Sequence, residues 1–296
     1  MVVISSRAKL DYQLGYLVVR GEETTRIHLG EISTLIIEST AVSLTAYLLS
    51  ELTKKKIKVV FCDEKRIPSS ELVSYYGSHD TSSKVRRQIQ WSQQIKEAVW
   101  TEIVTEKIRK QKIILEQLQK TEAEMLAGYL KEIAWNDATN REGHAAKVYF
   151  NALFGMEFTR TADTLVNAAL NYGYTILLSA FSREVVANGY ITQLGLFHDN
   201  VFNQFNLASD LMEPFRPLVD RMVAGMELQQ FETDEKMQLV NVLNQEVQID
   251  GKVQYVNNAV KVYCKSVFDA LNERDVSLIR FYQMSDNAEK QIEGLE

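Results

Sequence analysis

Gly77-Ser78-His79-Asp80-Thr81-Ser82-Ser83 divides the chain into two parts of different character. This stretch is small, polar and rich in turn-forming residues, and Ser82 or Ser83 is placed to cap a helix that follows it. We therefore predict a linker over residues 77–83, with one domain before it over residues 1–76 and another after it over residues 84–296.

The first domain is predicted to consist mainly of β-strands. Short segments rich in β-branched residues alternate with turn residues at Gly15, Gly21, Gly30 and Asp63. One inserted helix is expected from Ser43 to Lys54, where apolar residues recur at helical spacing. The predicted strands cover residues 2–4, 9–13, 16–20, 24–29, 34–38 and 57–62.

The second domain is predicted to be helical almost throughout. Apolar residues recur at helical spacing from Lys84 to Leu118, and later segments show the same period. The fold class is therefore expected to be α+β, with a small, mostly-β N-terminal domain followed by a large all-α domain. The later helices are predicted over residues 141–154, 161–188, 215–229, 234–247 and 253–272.

The composition narrows the classes of protein to consider. No apolar run is long enough to cross a bilayer and the N-terminus does not resemble a signal peptide, so no membrane partner is expected. Cys62 and Cys264 each lie in an apolar segment, which predicts buried free thiols and a cytoplasmic location. The chain contains no glycine-rich phosphate loop and no Cys-x-x-Cys pair, so NTPase, dinucleotide-binding and zinc-ribbon hypotheses lose their main support.

The charge is unevenly distributed along the chain. The net charge is −6, yet residues 84–112 hold eight basic and three acidic side chains. On its own this segment slightly favours an ordinary solvated helix, and the alternative is a helix that lies along a DNA phosphate backbone. The candidate DNA-binding residues are Lys84, Arg86, Arg87, Lys107 and Arg109.

The stretch from His198 to Asp220 carries an unusual number of polar groups among aromatic residues. Burying polar groups costs free energy unless each finds a partner, and a hard divalent cation satisfies several oxygens and an imidazole nitrogen at once. The stretch therefore predicts one wall of a metal site, with His198, Asp210 and Glu213 as candidate ligands. The alternatives are a structural histidine and two acids that complement the N-terminus of a helix, with Asp210 as its cap.

A further candidate ligand lies on the predicted helix from residue 141 to residue 154. Glu142 and His144 are two positions apart, about 200° around a helix, so they cannot both face one ion. We choose Glu142 as the ligand, and the alternative is a solvated acid paired with a neighbouring basic residue. Gly143, directly after Glu142, is expected to let a backbone or a phosphate approach this face.

Three separated motifs resemble those of one family, the CRISPR-associated spacer integrases. Residues 140–150 (NREGHAAKVYF), closed by Phe154-Gly155, resemble its glutamate motif. Residues 188–198 (NGYITQLGLFH) resemble its histidine motif, and residues 210–217 (DLMEPFRP) resemble its closing acidic motif. The motifs follow the family's order, and their wording is closest to the type II-A version.

The resemblance implies a metal-dependent DNA endonuclease and integrase. Glu142, His198 and Glu213 would bind one Mg²⁺ or Mn²⁺, with Asp210 as a further candidate ligand. A 3′-hydroxyl of captured foreign DNA would attack a phosphodiester at a repeat end of the CRISPR array. The implied partners are this double-stranded DNA, a second copy of the chain, and a small CRISPR-associated subunit that joins two homodimers into a heterohexamer.

Two other functions stay open from the residues alone. A metal-dependent hydrolase of small phosphoesters would use the same ligands. A non-catalytic helical scaffold would use the acids only as helix caps.

Overall fold

The computed structural model describes residues 2–64, 66, 68–72 and 80–284. Part of the predicted linker, residues 77–79, lies outside the described residues. The chain divides into two compact units: the first contains Met1–Ser82 and Val186–Gly189, and the second contains Ser83–Val185 and Tyr190–Glu296.

The described residues of the first unit form two four-stranded sheets, with strand orders β1-β5-β7-β8 and β4-β3-β2-β6. All four residues of β5 are buried, as expected of a central strand with parallel neighbours on both sides. Leu14 and Gly15 both have positive φ, so they form the type of two-residue turn that joins β2 to β3. The elements are β1 (Val2–Ile4), β2 (Lys9–Gln13), β3 (Tyr16–Arg20), β4 (Thr24–His28), β5 (Thr34–Ile37), β6 (Ser43–Leu44), α1 (Ala46–Lys54), β7 (Lys58–Cys62) and β8 (Pro68–Leu72).

The structure corrects the start of the inserted helix. Ser43 and Leu44 form β6, which pairs in parallel with the start of β2. The helix begins only at Ala46, because the Thr45 hydroxyl accepts a hydrogen bond from the Leu48 backbone N–H (3.2 Å) and caps it. The sequence analysis also missed β8, which pairs antiparallel with β7 at the edge of the sheet.

The rest of the described chain is mainly helical and is organised around α3. This helix contacts α4, α5, α7, α8 and α10. Most of its apolar residues are buried, and so are four polar ones, Glu106, Lys107, Lys110 and Gln111. The helices are α2 (Thr81–Gln90), α3 (Gln93–Gln117), α4 (Ala123–Glu132), α5 (Arg141–Phe154), α6 (Leu165–Ala187), α7 (Asn206–Met212), α8 (Arg216–Ala224), α9 (Thr233–Val240) and α10 (Val256–Glu273).

The α+β class is confirmed, but the helical domain also contains a small sheet that the sequence analysis missed. The helix predicted over residues 234–247 ends at Val240, and the chain continues as β9 (Glu246–Ile249) and β10 (Lys252–Tyr255). Asp250 and Gly251 connect the two strands with positive φ, a hairpin signal present in the sequence. A third strand, β11 (Gln283–Met284), pairs with β9.

Other predicted bounds shift by a few residues or more. The helix predicted to run on from Lys84 is interrupted after Gln90, where the Ser92 hydroxyl caps α3 by accepting from the Ile95 N–H (3.4 Å). The helix predicted over 215–229 ends at Ala224, whereas the one over 141–154 has the predicted bounds.

The thiols of Cys62 and Cys264 are both buried, as predicted. Among the described residues, no helix combines the length and the apolar character needed to span a membrane.

Candidate active site

Two acidic side chains converge on one cationic atom in the second unit. The Lys107 ammonium, on α3, donates hydrogen bonds to Glu142 Oε1 and to Glu213 Oε2, the latter at 2.6 Å. Glu142 lies in the first turn of α5, and Glu213 begins a 3₁₀ turn, Glu213–Phe215, between α7 and α8. The two carboxylates are thus close enough to share a single cation.

Glu213 is held as a buried anion. Its second oxygen, Oε1, accepts from Arg216 Nε at 2.8 Å, and the residue is only 5% exposed. Burial alone would raise the pKa of Glu213, but the positive charges of Arg216 and Lys107 outweigh it and set that pKa at about 2. Burial likewise opposes the charged form of Lys107, and the two glutamates outweigh it, so the pKa of Lys107 is raised.

Glu142 is free to face Lys107 because another residue caps α5. The Asp137 carboxylate accepts from the backbone N–H groups of Arg141 (2.7 Å) and Glu142 (3.0 Å). The space that a Cβ on Gly143 would need is filled by the Asn140 side chain. The prediction that Gly143 opens this face to a backbone or a phosphate is therefore wrong. His144 is exposed and lies beside Arg141.

His198 is anchored by Asp210. Its Nδ1 lies 2.5 Å from Asp210 Oδ1, which leaves Nε2 as the ring nitrogen available to a ligand. The hydrogen bond to Asp210 raises the pKa of His198. The preceding residue, Phe197, stacks on buried Trp100 of α3 with ring centroids 4.5 Å apart, which fixes the loop against the helix.

Asp210 is not the helix cap that the sequence analysis considered. It lies inside α7 with no exposed surface. Its carboxylate accepts from the backbone N–H groups of Leu196 (2.6 Å), Phe197 (3.1 Å) and His198 (3.1 Å). With these three contacts and the one to His198 Nδ1, Asp210 organises the loop that carries His198. Its role as a metal ligand stays a prediction.

Gly195 allows this loop to close around Asp210. A Cβ at this position would overlap the His198 carbonyl oxygen and come within 2.8 Å of Asp210 Oδ2. We expect Gly195→Ala to lower the free energy of unfolding by about 2 kcal/mol, because the loop must shift away from its anchor. Urea unfolding measures this loss. Gly128→Ala is the control, since nothing lies within 4 Å of its added methyl group, and an equal loss in both variants would contradict the prediction.

The structure brings together two of the three predicted ligands. Among the described residues, no group of three His, Cys, Asp or Glu side chains is placed to hold a metal ion. The third, His198, is close enough to Glu213 for the charge of that carboxylate to contribute to the raised pKa of His198. Two carboxylates that already share one cation, with an imidazole nearby, fit the ligand chemistry of Mg²⁺ or Mn²⁺.

A cavity of about 220 Å³ opens beside the carboxylates. Tyr174 donates a hydrogen bond from its hydroxyl to buried Asp220, and burial raises the pKa of Asp220 to about 7. The Arg216 guanidinium lies over the Tyr174 ring, 4.6 Å from its centroid. The cavity is lined by Lys107, Gln111, Glu142, Ala146, Phe150, Arg160, Tyr174, Glu213, Arg216 and Asp220.

The family model described as CRISPR associated protein Cas1 matches residues 1–246, a range that contains Glu142, His198 and Glu213. The chain belongs to the Cas1 family. The family resemblance read from the three motifs is confirmed, and the type II-A assignment stays a prediction.

Individual Cas1 proteins show how far the similarity extends. The CRISPR-associated endonuclease Cas1 of Neisseria meningitidis serogroup C (strain 8013) is 36% identical over 225 residues, which are 75% of this chain and 74% of that protein. The solved structure of a CAS1 protein from Thermotoga maritima is also similar, with a TM-score of 0.76 and 18% identity. The match covers 91% of this chain and 96% of that one.

A longer chain also contains this fold. A chain of a Cas6-RT-Cas1–Cas2 complex matches 96% of the present chain with a TM-score of 0.71 and 18% identity. The present chain spans 36% of that longer one. At 18% identity, both structural matches show a shared Cas1 fold alone.

The five candidate DNA-binding residues do not form one exposed row in this Cas1 protein. Arg86 and Arg87 are exposed on α2, but Lys107 is buried against the two carboxylates. Arg109 pairs with Glu106, and Lys84 lies over the ring of Tyr190. The basic segment therefore supplies one residue to the site itself, and Arg86 and Arg87 stay the candidates for a surface DNA contact.

Sequence reasoning missed two glutamines of this segment. Gln88 is buried on α2 and donates to the backbone carbonyls of Ile191 (2.9 Å) and Leu194 (3.1 Å), so it fixes the start of the His198 loop. Gln111 lines the cavity one turn after Lys107. Gln111 follows the helical spacing of the buried apolar residues of α3, which is the signal that could have identified it. Gln88 has no such signal, because it is the one buried residue of α2.

Proposed function

We propose that this Cas1 protein is a metal-dependent DNA endonuclease and integrase of CRISPR spacer acquisition. It would insert captured foreign DNA into a CRISPR array by attack of a DNA 3′-hydroxyl on a repeat-end phosphodiester. The observation that carries the proposal is the convergence of Glu142 and Glu213 on one cationic atom. The relative from Neisseria meningitidis is itself named an endonuclease, which supports the same class of reaction.

Glu142, Glu213 and His198 are the residues that would hold the divalent ion. Bound there, Mg²⁺ or Mn²⁺ would neutralise a scissile phosphate and stabilise the leaving oxygen. Arg216 holds the Glu213 carboxylate in place, and Asp210 holds Nδ1 of His198 so that Nε2 faces outward. Asp210 would act on the ion only through His198, since its own oxygens are engaged by the loop.

The volume of the cavity suits one phosphate group of a polymer better than a whole small molecule. Pockets that enclose small ligands usually exceed about 300 Å³, whereas this cavity has about 220 Å³. Its lining residues include Arg160 and Arg216, and guanidinium groups suit a phosphate oxygen. These dimensions support DNA over the small phosphoesters of the alternative hydrolase.

The partners follow from the family. We propose double-stranded DNA, a second copy of the chain, and a small CRISPR-associated subunit that joins two homodimers into a heterohexamer. A structural relative is part of a complex whose name includes Cas1–Cas2, which supports a second Cas subunit. The cytoplasm, where the array lies, is the proposed location.

Strand transfer tests this function. A short DNA duplex is incubated with a repeat-bearing plasmid, the partner subunit and Mn²⁺, and joined products are quantified. Glu142→Ala, His198→Ala and Glu213→Ala are each expected to reduce transfer at least about 100-fold, because each removes a ligand of the ion.

His144→Ala is the matched control for this assay. It is an exposed histidine on the same helix as Glu142 and contacts neither carboxylate. Its strand transfer should equal that of the unaltered protein. Full transfer by all three site variants would refute the site, and turnover of a small phosphoester without DNA or a partner would favour the hydrolase.

A further inference from the structure

Lys107 occupies the position between the two proposed metal ligands. Its side chain is buried, and its ammonium group bonds to one oxygen of each carboxylate. An ammonium is a compact charge on a long, flexible stem, so it can take a place that a small cation would fill. Lys107 thereby reduces the repulsion between two acids that lie at close range.

Lys107 and a divalent ion cannot occupy this place together. Glu213 Oε2 lies 2.6 Å from Lys107 Nζ, and an ion bound by the same oxygen would sit about 2.0–2.2 Å from it. An ion that bridges Glu142 Oε1 and Glu213 Oε2 would occupy nearly the same place as the ammonium, and two positive charges so close together repel strongly. Binding of the ion therefore requires the ammonium to leave.

A buried acceptor lies one helical turn away. Gln111 follows Lys107 by four residues on α3, is 1% exposed and lines the same cavity. Within the described part of the chain, neither its amide oxygen nor its amide nitrogen has a hydrogen-bond partner. Such a group is costly to bury, and residues four apart on a helix are neighbours. Gln111 Oε1 is therefore in reach of a displaced Lys107 ammonium.

We propose that Lys107 is a built-in counter-ion that exchanges with the metal. In the metal-free protein it holds Glu142 and Glu213 together. When the divalent ion binds, the Lys107 side chain moves along the cavity and donates to Gln111 Oε1. Lys107 and Gln111 are thus positioning residues for the metal site, and the inference rests on the proposed metal-dependent function.

Metal affinity tests the exchange without any DNA or enzymatic turnover. Mn²⁺ is titrated calorimetrically into the full chain at pH 8. Lys107→Met is expected to lower the Kd for Mn²⁺ about tenfold, because the ion no longer displaces two charge-assisted hydrogen bonds. Gln111→Met is expected to raise the Kd several-fold, because the displaced ammonium then loses its acceptor.

Lys112→Met is the matched control. It removes the same charge from the same helix, but Lys112 pairs with Glu116 away from the site, so its Kd should be unchanged. An unchanged or higher Kd for Lys107→Met would overturn the exchange. If the unaltered protein bound no Mn²⁺, the proposed metal site itself would be refuted, which separates the two failures.

The unaltered protein gives a second measurement that does not depend on a variant folding. Lys107 is acetylated with acetic anhydride in the presence and absence of Mn²⁺, and modification is quantified by mass spectrometry. We expect several-fold more acetylation with Mn²⁺, since the amine is then released from two carboxylates, with Lys112 as the internal reference. Equal acetylation of Lys107 under both conditions would overturn the proposal.

Discussion

Glu213→Gln is expected to lower the free energy of unfolding by about 3–5 kcal/mol in the absence of metal. The substitution keeps the shape of the side chain but removes its charge. Lys107 is then left buried and Arg216 half-buried, and their favourable interactions with Glu213 are lost. Breaking a buried ion pair from one side is costly because the remaining charge keeps its desolvation penalty.

Urea unfolding at pH 7 measures this effect against a surface control. Glu116→Gln removes a charge from an exposed pair with Lys112, and we expect a change below about 1 kcal/mol. Similar losses in the two variants would contradict the assignment of Glu213 as a buried anion. Circular dichroism would establish that each variant starts from a folded state.

The depressed pKa of Glu213 also predicts how the free energy of unfolding changes in acid. The pKa of Glu213 is about 2 in the folded protein, below its ordinary value of 4.5. Its stabilising contribution is therefore complete above about pH 4.5 and is lost as the pH falls towards 2. The difference in unfolding free energy between the unaltered protein and Glu213→Gln should shrink over this range. A difference that grows with acid would contradict the depressed pKa.

Local sequence patterns predicted the parts of the fold that local rules control. The bounds of α5 and the β2–β3 hairpin follow from apolar period and turn residues. The small β9–β10 hairpin has a turn signal of its own in Asp250-Gly251. It was missed because helices were predicted on both sides of this dipeptide. The start of α1 depended on Thr45, since either Thr45 or an earlier residue could have been the cap.

The site was predictable only in part, because its partners come from distant parts of the chain. Glu142 and Glu213 were chosen from motifs, and the structure places both beside Lys107. Lys107 was grouped with surface basic residues, although Ile103, Lys107, Gln111 and Ile114 recur at buried-face spacing. Periodicity shows that a lysine faces the interior, but only tertiary structure shows which charges meet it there.

Asp210 illustrates the same limit and carries the second large expected effect. From the sequence it resembled a cap for the helix that begins near Pro214, but α7 begins earlier, at Asn206, and places Asp210 in its interior. Its carboxylate meets a loop whose residues lie twelve to fourteen positions earlier. No local sequence pattern predicts a side chain that lies inside a helix and bonds to the backbone of an earlier loop.

Asp210→Asn is expected to lower the free energy of unfolding by about 3 kcal/mol or more. The amide keeps one acceptor oxygen, but its NH₂ group faces backbone N–H donors that then lose their partners in a buried place. Asp199→Asn is the control, since Asp199 is exposed and lies directly beside His198 in the chain. Equal stability of the two variants in urea would show that the loop does not depend on Asp210.

The same substitution should release His198, and this outcome distinguishes an anchor from a residue that is merely buried. In the unaltered protein the hydrogen bond to Asp210 raises the pKa of His198 above its ordinary value of 6.5. Asp210→Asn should lower that pKa, because the charged acceptor is gone, and Asp199→Asn should not lower it as far. The chain has four histidines, so proton NMR titration can follow each ring separately. If the His198 pKa stayed raised in Asp210→Asn, the imidazole would be oriented by another group, and Asp210 would serve the backbone of the loop alone.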